Sequence, residues 1–215
     1  MGALFPRWTN TLARVMAVGV LATPAVAIAA LMLYVRSPFV TGQFVEVAQP
    51  VQFDHRHHSW DEGIDCRYCH TSAEEAASAG IPSTEVCMGC HAQVWNQSPK
   101  LAPVREAWFS GKPIEWNRVH DLPDFVYFNH AAHTRKGVGC VSCHGRVDTM
   151  PFVMQVAPLT MSWCLECHRE PTPHLRPLDK VFSMTWEPVD PVEVGRQVAA
   201  LLDVQPRQSC TTCHR

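Results

Sequence analysis

Ten cysteines in 215 residues fall into five identical Cys-x-x-Cys-His units, Cys66–His70, Cys87–His91, Cys140–His144, Cys164–His168 and Cys210–His214, with none left over. Each unit offers two thiols three residues apart and an imidazole directly after the second. That spacing suits thioether attachment. Cys66 with Cys69, Cys87 with Cys90, Cys140 with Cys143, Cys164 with Cys167 and Cys210 with Cys213 would each take the two vinyl groups of one porphyrin. His70, His91, His144, His168 and His214 would then lie beneath the irons as proximal ligands. Zinc ribbons also use paired cysteines, but two pairs per metal, and five pairs is the wrong parity. A disulfide framework has no use for a His after every pair. With 12 His in 215 residues, five such histidines by chance is on the order of one in two million. The sequence therefore implies five covalently bound haem c groups.

Five irons have ten axial positions, of which the units fill half. Seven histidines remain: His55, His57, His58, His120, His130, His133 and His174. Four of them sit in two F-x-H-x-x-H motifs, Phe53–His58 and Phe128–His133, and are the expected distal ligands: His55, His58, His130 and His133. Two His three apart share one side of a helical turn and can serve neighbouring haems. The alternative use of one member of each pair is a hydrogen bond to a propionate. For the fifth distal position His120, in RVHDLPDFVYFNH, is the first choice. His174, His57, or a thioether from Met150, Met154 or Met161 are the alternatives, and a Met ligand would raise that potential. Because spare ligands exceed vacancies, saturated irons that pass electrons are expected, and no catalytic residue.

The elements that must hold these groups are small. One unit for about every 43 residues leaves too little polypeptide for an ordinary core, so the porphyrins are expected to serve as core. Seventeen Pro and eleven Gly predict short α-helices carrying the units, long irregular stretches and little or no β-structure. The two motifs open an internal repeat, residues 53–91 and 128–168. Phe53 to Cys66 is 13 residues and Phe128 to Cys140 is 12, while Cys66 to Cys87 is 21 and Cys140 to Cys164 is 24. The fifth unit, 210–214, follows a tail in which Asp190-Pro191-Val192-Glu193 predicts a capped helix start. Residues 71–80, TSAEEAASAG, predict an Ala-rich helix stopped by Gly80. The tryptophans of 92–127 are expected to pack on haem.

From Val15 to Val35 the chain carries no charge, enough to span a bilayer as a helix. Pro24 is expected to kink it, and residues 37–52 to form an extended linker. The competing reading is a signal peptide cleaved after Ala25-Val26-Ala27, but the apolar run is longer than a signal core. The domains expected are an anchor over 1–40 and a haem domain over 41–215. Haem attachment would place the latter on the periplasmic face of a bacterial inner membrane. A net charge of −2, without a basic stripe, argues against a nucleic-acid partner.

Taken together, the single N-terminal helix, CRYCHTSAEEAASAGIPSTEVCMGCH, RVHDLPDFVYFNHAAH and LTMSWCLECHR make the chain resemble the membrane-anchored pentahaem cytochrome c subunit of alternative complex III. Its haem motifs are also similar to those of small c7- and c3-type cytochromes. The resemblance implies an electron conduit from quinol oxidation to a cytochrome c or terminal acceptor. The implied partners are an iron–sulfur subunit resembling molybdopterin oxidoreductases, polytopic quinol-binding subunits and a monohaem cytochrome c. One rival is a stand-alone anchored multihaem quinol dehydrogenase, with Asp54, Asp61, Glu62 or Asp65 as proton acceptors. The other is a multihaem reductase with one open haem.

Overall fold

The computed structural model describes residues 5–214, in two compact units that divide after Gly42. The expected domains' outermost residues, 1–4 and Arg215, lie outside the described residues. The first unit holds α1 (Trp8–Val35) and the one-turn α2 (Pro38–Thr41). α1 starts seven residues before Val15. The stretch Thr9–Arg14 contains no helix breaker, and the Thr9 hydroxyl donates to Pro6 O at 2.7 Å. The helix runs through Pro24, is long and apolar enough to cross a membrane, and buries none of its residues.

The second unit is short helices strung on irregular chain. They are α3 (Cys66–Cys69), α4 (Thr84–His91), α5 (Ala102–Ser110), α6 (His130–Thr134), α7 (Val141–His144), α8 (Met161–Arg169), α9 (Pro191–Leu201) and α10 (Cys210–Cys213). No strand forms among the described residues; isolated bridges pair Gln43 with Gln155, Glu46 with Met154 and Val138 with Leu175. Among the described residues the buried apolar ones are Val51, Ala73, Val104, Ala107, Ala131, Ala157, Leu175, Val181 and Val198, and of these only Val181 is below 2% exposed. No aromatic or methionine side chain is among them. Apolar side chains alone give this unit a thin core.

Local chemistry explains the element ends. α9 begins as its sequence predicts, with Asp190 Oδ1 accepting from Glu193 N at 3.0 Å. It lies against the turn Thr172–His174 so closely that a Cβ on Gly195 would overlap Thr172 O. The helix expected over 71–80 does not form, and that stretch is a series of turns. Its carbonyls are used across the repeat instead. Ala77 O and Ala76 O accept from His130 N and Ala131 N, both at 3.1 Å, and Ala73 O accepts from the buried Thr134 hydroxyl. A helix would have turned Ala73 O and Ala76 O onto its own amides, leaving part of the first turn of α6 without partners.

Candidate haem sites

The two F-x-H-x-x-H motifs fold alike, and the residue between Phe and His explains why. Asp54 Oδ1 accepts from His57 N at 3.3 Å, and Asn129 Oδ1 accepts from Ala132 N at 3.1 Å. Both are Asx caps that start a turn on the first histidine. The second histidine then reaches back to the cap's own carbonyl, His58 Nδ1 to Asp54 O at 2.9 Å and His133 Nδ1 to Asn129 O at 2.8 Å. The phenylalanine fixes both rings. Phe53 lies edge-on to His55 (4.7 Å, 82°) and stacks on His58 (4.2 Å, 25°). Phe128 does the same to His130 (4.8 Å, 90°) and His133 (4.5 Å, 25°). The first turn is π-helical over Arg56–Asp61, whereas the second is α-helical. The signal for this role is an Asp or Asn directly before the first histidine of both motifs.

The Cys-x-x-Cys-His units all lie on helical turns. His70, His144 and His214 each donate their backbone N–H to the carbonyl of the first cysteine, at 2.8, 2.9 and 2.8 Å. This places both thiols and the imidazole on one side of the turn. In four units the imidazole Nδ1 meets a backbone carbonyl: His70 with Gly80 (2.8 Å), His91 with Val94 (3.0 Å), His168 with Arg207 (2.9 Å) and His214 with Phe125 (3.1 Å). His130 Nδ1 likewise meets Ala77 O at 2.9 Å. A carbonyl on Nδ1 fixes the proton there and leaves the Nε2 lone pair for a metal.

Histidines of motifs and units then face each other. Ring centroids are 6.1 Å apart for His58 and His91, 6.4 Å for His130 and His144, and 6.0 Å for His133 and His168. Two imidazoles bound trans at about 2 Å from one iron would have centroids about 6.3 Å apart. The residues present therefore fit an iron held between each pair. Burial pushes the His55 imidazole down to about 4, and the charges of His70 and His58 add to that. Its Nδ1 is the buried side-chain polar atom left without a partner among the described residues.

The third unit differs from the rest. His144 Nδ1 lies 3.2 Å from His120 Nε2, with the rings 4.4 Å apart and nearly perpendicular. Burial, then the His120 and His130 rings, push His144 down to about 3. His120, expected first for the fifth distal position, is thus brought to the third unit, while the ring beside His214 is Phe125, at 5.8 Å. Sequence proximity to the second motif suggested its neighbourhood but not which nitrogen it would meet. Among the other fifth-ligand candidates, His57 stacks near Trp95 (6.1 Å) and lies 3.7 Å from Asp61, and His174 and Met161 are exposed.

The thiols do not suit a bare metal. Burial pushes Cys140 up to about 11 and Cys143 up to about 12, which disfavours the thiolates zinc requires. Among the described residues no cluster of three or more His, Cys, Asp or Glu is placed to hold an ion. Neutral thioethers carry no such penalty. Two of the acids considered as proton acceptors, Asp65 and Asp54, have structural partners. Asp65 caps α3 and pairs with Arg67, whose guanidinium holds its carboxyl below the usual range. Asp54 caps its motif and pairs with Arg56 at 2.9 Å.

Comparison with known proteins points to the same class of cofactor. Over 97 residues the chain is 41% identical to the protein named "Menaquinone reductase, multiheme cytochrome c subunit" of Nitratidesulfovibrio vulgaris (strain Hildenborough). The match spans 45% of this chain and 45% of that relative, so the chain covers about half the length of the relative it matches. Residues 126–215, which contain the second motif and the last three units, match the family of cytochrome c7 and related cytochromes c, and the fold of the chain is that of a multihaem cytochrome c, whose cofactor is covalently bound haem c.

Proposed function

We propose that this chain binds five haem c groups and relays electrons within a quinone-linked membrane oxidoreductase, as the pentahaem subunit of alternative complex III does. Each cysteine pair forms two thioethers, and His70, His91, His144, His168 and His214 are proximal ligands. His55, His58, His130 and His133 are the distal ligands of the first, second, third and fourth units. When bound, haem c supplies one-electron Fe(III)/Fe(II) exchange. The chain's own residues orient the ligands through the Nδ1 contacts, hold the rings by Phe53 and Phe128, and keep the third unit away from water.

The observation that carries this reading is the facing of imidazoles at 6.0–6.4 Å across three separate pairs. Two ligands on each of the first four irons leave no position for substrate there, which favours relay over catalysis. α1 would anchor the chain in the inner membrane with the haem unit on the periplasmic side. The partners would be an iron–sulfur subunit resembling molybdopterin oxidoreductases, polytopic quinol-binding subunits and a monohaem cytochrome c. A second reading is favoured by the name of the similar protein: the complex reduces menaquinone rather than oxidising quinol.

The purified complex tests both. Reduction of cytochrome c by added menaquinol supports the first direction, and menaquinone reduction by a reduced cytochrome supports the second. Haem reduction in neither assay sinks the quinone-linked role. For this chain, mass spectrometry should give five haem additions. EPR should give low-spin signals from at least four haems, and CO should bind no more than one.

A further inference from the structure

We infer that the five units follow one another in space in the order second, first, third, fourth, fifth. The tandem blocks then join through their first units, and the row ends at Cys87–His91 and Cys210–His214. This rests on the five-haem reading above and adds the connectivity that the reading lacks.

Each link has its own contact. Second and first are joined by the Phe53 motif, whose His58 faces His91 at 6.1 Å and whose Phe53 ring lies 4.7 Å from His55, the ligand given above to the first unit. The Tyr68 hydroxyl, inside the first unit, also approaches Gly89 inside the second, 3.7 Å from where a Cβ would stand. First and third are joined by two consecutive carbonyls: Cys140 N donates to Val181 O at 3.1 Å, and Cys66 Sγ lies 4.0 Å from Phe182 O. The turn that follows the first unit supports the same link, since its Ala76 and Ala77 carbonyls hold the start of α6. Third and fourth are joined by the Phe128 motif, with His130 facing His144 and His133 facing His168. Fourth and fifth are joined where His168 Nδ1 meets Arg207 O at 2.9 Å, three residues before Cys210.

Exposure gives an independent check. Of the ten cysteines, Cys90 and Cys210 are exposed and the other eight are half-buried. These two belong to the units placed at the ends. A row in sequence order would set the second unit against the third and bury Cys90. The second and fifth units are therefore the two places where the row meets an outside electron carrier.

Iron positions in the full-length haem-loaded protein decide the matter. Anomalous scattering at the iron edge from crystals of the detergent-solubilised chain locates every iron, and the adjacent Cys-x-x-Cys-His identifies it. The expected result is an unbranched row in which the irons of His70 and His144 are neighbours and those of His91 and His214 are terminal. Five irons with that of His91 next to that of His144, or with any other unit at an end, would overturn the order while leaving the five-haem reading intact. Fewer than five irons in a fully loaded sample would defeat that reading itself.

Discussion

His120 Nε2 stands 3.2 Å from His144 Nδ1, so the imidazole of the third unit leans on a side chain where its counterparts at His70, His91, His168 and His214 lean on a backbone carbonyl. A backbone carbonyl survives mutation; this acceptor does not. His120→Ala should leave every haem low-spin and shift the potential of one. An outer-shell partner on a ligating imidazole raises its basicity, so losing this one should raise the potential of that haem. His120→Gln, which keeps an acceptor, should recover much of the shift. A new high-spin haem in the alanine variant, seen by EPR, would make His120 a ligand instead.

Facing rings give a sharper test of ligation. His58→Ala, His130→Ala and His133→Ala should each convert one low-spin haem to a high-spin, CO-binding one, and His55→Ala should do the same through its closeness to His70. The count of haems by mass stays at five in all four, because the thioethers are untouched. Unchanged spectra for any one variant would return that histidine to a structural role.

Gly195 has no room for a side chain, because a Cβ would overlap Thr172 O where α9 crosses that turn. Gly195→Ala should lower stability by about 1–3 kcal/mol, the usual cost of overpacking, read as a lower melting temperature of the haem-loaded protein with an unchanged optical spectrum.

Asp148 is 5% exposed and meets Arg146 through two hydrogen bonds of 2.8 and 2.9 Å. The arginine also lies over the Trp60 ring at 5.1 Å. Arg146→Ala leaves a buried carboxylate without its cation and should cost about 1–3 kcal/mol, less than a fully buried pair because the guanidinium is partly solvated. Asp148→Asn with Arg146→Ala together should be milder than Arg146→Ala alone. Urea titration of the three variants distinguishes these outcomes.

The chemistry was more legible than the path of the chain. Cys-x-x-Cys-His carries its own geometry, because thiols and imidazole belong to one helical turn, and F-x-H-x-x-H carries the facing of rings in the same way. The start of α9 was readable because cap, proline and acid are consecutive residues. Residues 71–80 were misread since helix propensity is local, whereas the fate of the Ala76 and Ala77 carbonyls depends on backbone amides over fifty residues away. His120 was placed near the second motif by adjacency in sequence. Which unit it serves depends on how the loop 117–129 returns, and no spacing rule encodes that.

The thin apolar core has a consequence for biogenesis. Alanine, valine and leucine make up its buried apolar positions, against an ordering cost of about 1–2 kcal/mol per residue. If the five-haem proposal holds, a chain without porphyrin would have little to keep it closed, and its thiol pairs would stay accessible to the incoming cofactor. Contacts that close the molecule, such as those of Ala76 and Ala77 with α6, would then form as the blocks are loaded. Maturation and folding would be one process, with compactness as the record of completed loading. The same polypeptide made in a cytoplasm without haem ligation should melt without a cooperative transition and fall readily to proteases.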